Sequence, residues 1–370
     1  MSLSKLAVIS GIFLWSMLNV SHASDQKGYI IILNKSSDVK KVSQELKRKH
    51  SITIGHSYHK VLNGFSFKGS SQAVAAISKR WDVQSIEEDK PVHAIKGPPP
   101  GKGGGGSNNP PLPQVIPEGI TRVRGPVQAS ANTGKAWIID SGIDLDHPDL
   151  NVDVENSASF LSGKQGSSAD DQNGHGTHVA GTIAAIDNDI GVVGVAANAQ
   201  VVSVRVLDRK GSGTISGVIA GVEHVALNAS AGDVANMSLG GSASDALDTA
   251  VINAAATGII FVLAAGNEAD DANLYSPARA SGENIYTISA IDHNDDFAYF
   301  SNYGTPVEFS APGVSILSTY KNGEYNTFSG TSMAAPHAAG VLLITNGLPG
   351  QCGLVSLDPD GVSDPIICIP

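Results

Sequence analysis

The stretch Ala136-Trp137-Ile138-Ile139-Asp140 is an unbroken apolar run that ends on a carboxylate. Four runs of the same kind follow it: VVSVRVL (201–207), VANMS (234–238), IIFVLAA (259–265) and IYTISA (285–290). Segments of helical character lie around them, at 175–186, 214–229, 244–257 and 331–345. Strands that are apolar on both faces and alternate with helices predict a parallel sheet covered on both sides, an α/β fold. Ligands bind such sheets beyond the carboxyl ends of the strands. Asp140 stands at one of those ends.

Upstream, KGPPPGKGGGGSNNPPLP (96–113) has almost no apolar side chains and reads as a linker. It separates the sheet domain (114–370) from a smaller unit at 24–95. In that unit YIIIL (29–33), ITIGHSY (52–58), LNGFSF (62–67) and VQSIEE (83–88) read as strands. Helices are expected at 38–50, capped by Asp38, and at 70–80. The order β-α-β-β-α-β is that of a small α+β, ferredoxin-like unit. Before it, Lys5, a run of about 15 apolar residues and the ending Ser21-His22-Ala23 have the pattern of a secretory signal peptide cut after Ala23. The run is short of the roughly 20 residues a membrane span needs. A secreted protein with no membrane attachment after signal removal is expected.

Charged residues make up only 16% of the 370, against 41% apolar, which excludes wholesale disorder and a coiled coil. The net charge of −11 is unevenly spread: residues 1–113 carry +8 and residues 114–370 carry −19. The two parts should attract, and the acidic larger part should not bind nucleic acid. The two cysteines, Cys352 and Cys368, can close a small loop in an oxidising compartment, with unpaired buried thiols as the alternative.

Four chemistry-bearing residues sit at strand ends or helix starts: Asp140, His175, Asn267 and Ser332. A serine hydroxyl is a poor nucleophile near neutral pH and needs an imidazole to take its proton. The imidazole needs a carboxylate to fix its tautomer. An amide and a helix N-terminal N–H can then hold the oxyanion. Taken singly, Asp140 reads as a turn or cap residue, His175 as structural and Ser332 as a cap more readily than as functional groups. His178, three residues after His175, does not complete the H-E-x-x-H pattern of a zinc peptidase.

Together, D-S-G-I-D-x-x-H-P-D-L (140–150), N-G-H-G-T-H-V-A-G-T (173–182), A-A-G-N (264–267) and G-T-S-M-A-A-P-H (330–337) resemble, in chain order, the signatures of the subtilisin-type serine peptidases. The resemblance implies Asp140 as orienter, His175 as base, Ser332 as nucleophile and Asn267 as oxyanion donor, with His178 structural. It implies that residues 29–95 are an inhibitory, chaperone-like propeptide, and that the substrates are proteins or peptides. Ser238, Leu239 and Gly240 with Gly211, Ser212 and Gly213 resemble the edges that pair with an extended substrate. Leu207 and Ile215 would line an apolar subsite, or are ordinary core. Structural Ca²⁺ is implied on the side chains of Gln114, Asp149 and Asn188 and the backbone oxygens of Ile186, Ile190 and Val192, a hard-oxygen set. Asp358, Asp360 and Asp364 read as a solvated acidic turn. Only 38 residues follow Ser332, fewer than in familiar members, which leaves the family's last helices in question. A monomeric self-processing endopeptidase is expected; the alternative is a noncatalytic secreted binding protein on the same fold.

Overall fold

A computed structural model describes residues 26–95 and 113–370. The expected signal segment, and the linker apart from Pro113, lie outside the described residues.

The strands Lys27–Leu33, Thr53–Tyr58, Gly64–Gly69 and Val83–Glu88 form one antiparallel sheet, in the order second, third, first, fourth. Alternate side chains of a strand face opposite ways. Ile31 and Leu33 therefore pack with Val39, Val42 and Leu46 of the helix Val39–His50 and with Ile77 of the helix Ser71–Ile77. Ile30 faces the other way, into a core shared with the larger part. That is why the run is apolar at every position. Asp38 caps the first helix by accepting from the Lys41 N–H at 2.9 Å, and Lys47, Arg48 and Lys49 fill its last turn, where the helix dipole favours cations.

In the larger part Ala136–Asp140 is central. Gln200–Arg205 and then Asn151–Val152 lie on one side. On the other come Val234–Met237, Ile260–Ala264, Ile285–Ile291 and Val307–Pro312, all parallel. The helices His175–Ala184 and Thr331–Ile344 pack on Ile138, Val262 and Ile288. Ile215–Asn228 and Asp245–Ala255 pack on Trp137, Ile139 and Phe261, the opposite face. This is the expected doubly covered parallel sheet.

The carboxyl-terminal tail is a hairpin. Pro365–Cys368 joins the sheet beside Val307–Pro312, and Gly350–Leu354 pairs antiparallel outside it. Cys352 and Cys368 are disulfide-bonded across the pair, with Cα atoms 5.9 Å apart.

The smaller unit docks on two helices. Tyr58 donates to the Ser216 carbonyl at 2.9 Å. The Glu223 carboxylate accepts from the N–H groups of His59, Lys60 and Val61 at 2.7–2.8 Å. Asp89 accepts from the Ser216 N–H at 2.8 Å and from its hydroxyl at 2.6 Å. Glu87 accepts from the Ser244 hydroxyl and from the Ala246 N–H at 3.3 Å. Carboxylates thus meet the free N–H groups and positive dipole ends of both helices. These contacts join carboxylates of both parts to N–H and hydroxyl groups, and none of them pairs a cation of the basic part with an anion of the acidic part.

The acidic turn is not wholly solvated. Asp364 accepts from the buried Ser289 hydroxyl at 3.1 Å, and that hydroxyl is 2.6 Å from the Ser310 hydroxyl. Burial, with Asp358 and Asp360 nearby, pushes the Asp364 carboxyl up to about 7. A raised carboxyl pKa means that the fold favours the protonated form. Its stabilising contribution is complete below the ordinary carboxylate range and is lost as pH rises through about 7. Asp364→Asn is therefore expected to raise the melting temperature at pH 8 and leave it nearly unchanged at pH 4, as measured by calorimetry across that range.

Candidate active site

Asp140 ends the central strand and is fully buried. His175 Nδ1 donates to its carboxylate, 2.9 Å from both oxygens. The Ser141 hydroxyl accepts from the Gly176 N–H at 3.0 Å and donates to Asp171 at 3.0 Å. Asp171, missed in the sequence reading, accepts from the N–H groups of Asn173, Gly174 and Thr177 and from the Thr177 hydroxyl, and so secures the helix that begins at His175. Its only sequence signal was an acid four residues before the histidine. Gly176 is required for the close approach of these elements: a Cβ there would lie 2.1 Å from the Gly142 carbonyl oxygen.

Ser332 is fully buried at the start of the helix Thr331–Ile344. Its hydroxyl donates to the Ser238 carbonyl at 3.0 Å. His175 Nε2 is buried with no hydrogen-bond partner among the described residues. The structure thus makes the Asp140–His175 bond, while the serine hydroxyl is engaged by Ser238. His178 donates from Nε2 to the carbonyls of Ile316 (3.0 Å) and Asn326 (3.1 Å). Burial pushes its pKa down to about 3, so it stays neutral.

Asn267 follows the strand Ile260–Ala264. Its Oδ1 accepts from the Thr331 N–H at 2.9 Å and from the Thr331 hydroxyl at 3.0 Å. With the acceptor end engaged, the amide donor faces outward, and Nδ2 donates to the carbonyl of Ile95 at 3.4 Å.

Ile95 is there because residues 91–95 enter the site as an extended segment. Pro91–Ala94 forms an antiparallel sheet between Ser212–Thr214 and Leu239–Ser242. Val92 faces Gly213, His93 faces Ser212 and Gly240, and Ala94 faces Leu239. The Ala94 N–H donates to the Gly211 carbonyl at 2.9 Å and the Ile95 N–H to the Ser238 carbonyl at 3.4 Å. All six residues read as substrate edges therefore flank this segment. Val92 is fully buried in the same apolar cluster as Leu207 and Ile215. Beside Ile95 lies a cavity of about 350 Å³ whose wall includes Gly240, Ala264, Asn267 and Tyr275.

The residues read as metal ligands also converge. Gln114 Oε1 accepts from the Asn188 N–H, and Gln114 Nε2 donates to Asp187 at 2.6 Å. Asp149, fully buried, accepts from Asn188 Nδ2 at 2.9 Å, from the Val192 N–H at 3.1 Å and from the Tyr325 hydroxyl at 3.1 Å. Asn188 Oδ1 accepts from the Ile190 N–H at 2.7 Å, and the Ile186 N–H donates to the Asp149 carbonyl at 3.1 Å. Among the described residues there is no group of three or more His, Cys, Asp or Glu side chains able to hold a metal. The side-chain oxygens gathered here are those of the buried Asp149 carboxylate and of the Gln114 and Asn188 amides, with the Asp187 carboxylate on Gln114. That set fits a hard cation and not a soft one.

Comparison with known proteins bears on both parts. Residues 137–350 match the subtilase family, and residues 21–94 match peptidase inhibitor I9. The chain is 36% identical over 344 residues to a thermostable alkaline protease of Halalkalibacterium halodurans, covering 91% of this chain and 86% of that protein. It is 45% identical over 235 residues to subtilisin DY of Bacillus licheniformis, covering 61% and 83%. The crystal structure of a cold adapted subtilisin-like serine proteinase superposes with a TM-score of 0.56 at 40% identity, covering 65% of this chain and 92% of that one. The noncatalytic alternative finds no support among these relatives. The chain belongs to the subtilase family: it is a subtilisin-type serine endopeptidase that carries an inhibitor propeptide domain.

Proposed function

We propose that Asp140, His175 and Ser332 form the catalytic triad, that Asn267 is the oxyanion donor, and that the enzyme cuts its own chain first at Ile95–Lys96. The observation that carries this reading is the setting of Ile95. Its N–H and carbonyl are held by Ser238 and Asn267, and the Ser238 carbonyl that accepts from Ile95 also accepts from the Ser332 hydroxyl. The chemistry is that known for subtilisins. Asp140 keeps the His175 proton on Nδ1, which leaves Nε2 as the acceptor. The Ser332 hydroxyl turns from Ser238 to Nε2, gives up its proton and attacks the carbonyl carbon. Charge on the carbonyl oxygen is met by Asn267 Nδ2 and by the N–H at the start of the Ser332 helix. His175 then returns the proton to the amine of Lys96, and water releases the acyl group. The segment pairing of residues 91–95 supports extended peptides as substrates, with Val92 marking an apolar subsite on Leu207 and Ile215.

Export follows from the signal-like pattern before Ala23, and the disulfide supports an oxidising compartment. Among the described residues no helix is long and apolar enough to cross a membrane. We read the mature enzyme as a secreted monomer that begins at or within the linker 96–113 and keeps Gln114. Calcium, when bound, would tie Gln114 at the start of the catalytic part to Asp149 and the 186–192 loop, a structural crosslink.

Ser332→Ala is expected to fold and accumulate as uncut precursor in a protease-free expression system. Normal processing of that variant would overturn the assignment. Calcium binding has its own test. Ile95 lies in the site while Gln114 already contacts Asp187 and Asn188, both in one uncut chain. The 18 residues of 96–113 could span roughly 60 Å when extended. Calorimetric titration of the Ser332→Ala precursor should therefore give a calcium affinity equal to that of the mature enzyme. Tight binding seen only after the linker is cut would contradict this.

A further inference from the structure

We propose that Asn302 is a positioning residue for the reaction, holding both sides of the loop that carries the oxyanion donor Asn267. The proposal rests on the reading of Asn267 given above. Asn302 is fully buried and outside the four sequence motifs. Its Oδ1 accepts from the N–H groups of Glu268 (2.9 Å) and Asp270 (3.1 Å), on the far side of Asn267. Its Nδ2 donates to the Ala265 carbonyl at 3.1 Å, on the near side, and to the Glu268 carboxylate at 2.8 Å. Its own N–H donates to the Gly266 carbonyl at 2.9 Å. The same Glu268 oxygen accepts from the Asn267 N–H at 2.9 Å.

A primary amide offers two donor hydrogens and one acceptor oxygen with two lone pairs, and here all four positions are spent on one loop. The local backbone is shaped to admit it. Gly266 has φ of 116°, and a Cβ at that position would lie 2.1 Å from Asn302 Nδ2. Thr331 grips the Asn267 amide from the nucleophile helix, so the side chain has one anchor there and its loop has another in Asn302. The contact being positioned, Asn267 Nδ2 to the Ile95 carbonyl, is 3.4 Å long. This is at the outer end of useful hydrogen-bond distance, so a shift of a few tenths of an ångström removes it. Loss of Asn302 would leave the buried Ala265 carbonyl and two half-buried loop N–H groups without these partners, and the loop would move to satisfy them.

The test is a double-mutant cycle on the mature enzyme with a synthetic peptide amide substrate. Asn302→Ala should lower kcat by about tenfold or more with KM within about twofold, because an oxyanion contact acts mainly in the transition state. In an Asn267→Leu background the same change should cost little further. Asn302→Asp keeps the size and the two accepting contacts but sets a carboxylate against Glu268, and should show the same dependence on Asn267. It carries the cycle if the alanine variant does not fold. An unchanged kcat in the Asn302 variants, or an equal loss with and without Asn267, overturns the proposal and leaves Asn267 standing. Full activity of Asn267→Leu alone removes the reading on which the proposal rests, and the proposal with it.

Discussion

The backbone hydrogen bonds of residues 91–95 are the constraint on which the arrangement depends. An extended strand has one register relative to its neighbours, and a slip by one residue would exchange the faces of every side chain. Pairing with Ser212–Thr214 on one side and Leu239–Ser242 on the other puts Val92 in the apolar core and the Ile95 carbonyl at Asn267. Burying the Val92 side chain contributes about 2 kcal/mol and fixes that register. The same pairing serves a substrate and an inhibitor, because main-chain bonds recognise any extended peptide.

Docking of the inhibitor unit adds affinity away from the chemistry. Glu223 reaches from the catalytic part to three N–H groups of the 59–61 turn, while Glu87 and Asp89 reach back to two helix N-termini. Hydrogen bonds to a charged acceptor contribute about 1.5–3 kcal/mol each at best, more than neutral ones. These contacts hold the unit at residues 58–61 and again at residues 87–89, and the strand Pro91–Ala94 that follows runs directly between the two edges.

The sheet was legible in the sequence, and so were the four residues proposed as catalytic as a set at strand ends and helix starts, because both leave local marks. Continuous apolar runs identify strands covered on both faces, and Asp140, His175, Asn267 and Ser332 sit at their ends or at helix starts. Asp171 and Asn302 were not legible, since each works through backbone groups brought near only by the fold. Glu87 and Asp89 looked like ordinary surface charge in a basic segment, and net charge says nothing about which side chains meet a helix end. The carboxyl-terminal hairpin is made of two short strands without clear alternation, and only the cysteine pair hinted at it. The engagement of the Ser332 hydroxyl by Ser238, with His175 Nε2 unpartnered among the described residues, is a matter of side-chain rotation that no motif encodes.

If the 91–95 segment is the first substrate, the first bond cut is already chosen by its register. The most direct measurement is mass spectrometry of the wild-type precursor, refolded without any other protease and sampled during its first round of processing. The account predicts an inhibitor fragment whose last residue is Ile95 and a partner beginning at Lys96. A first fragment ending at any other residue, with the Ile95–Lys96 bond intact, would contradict it.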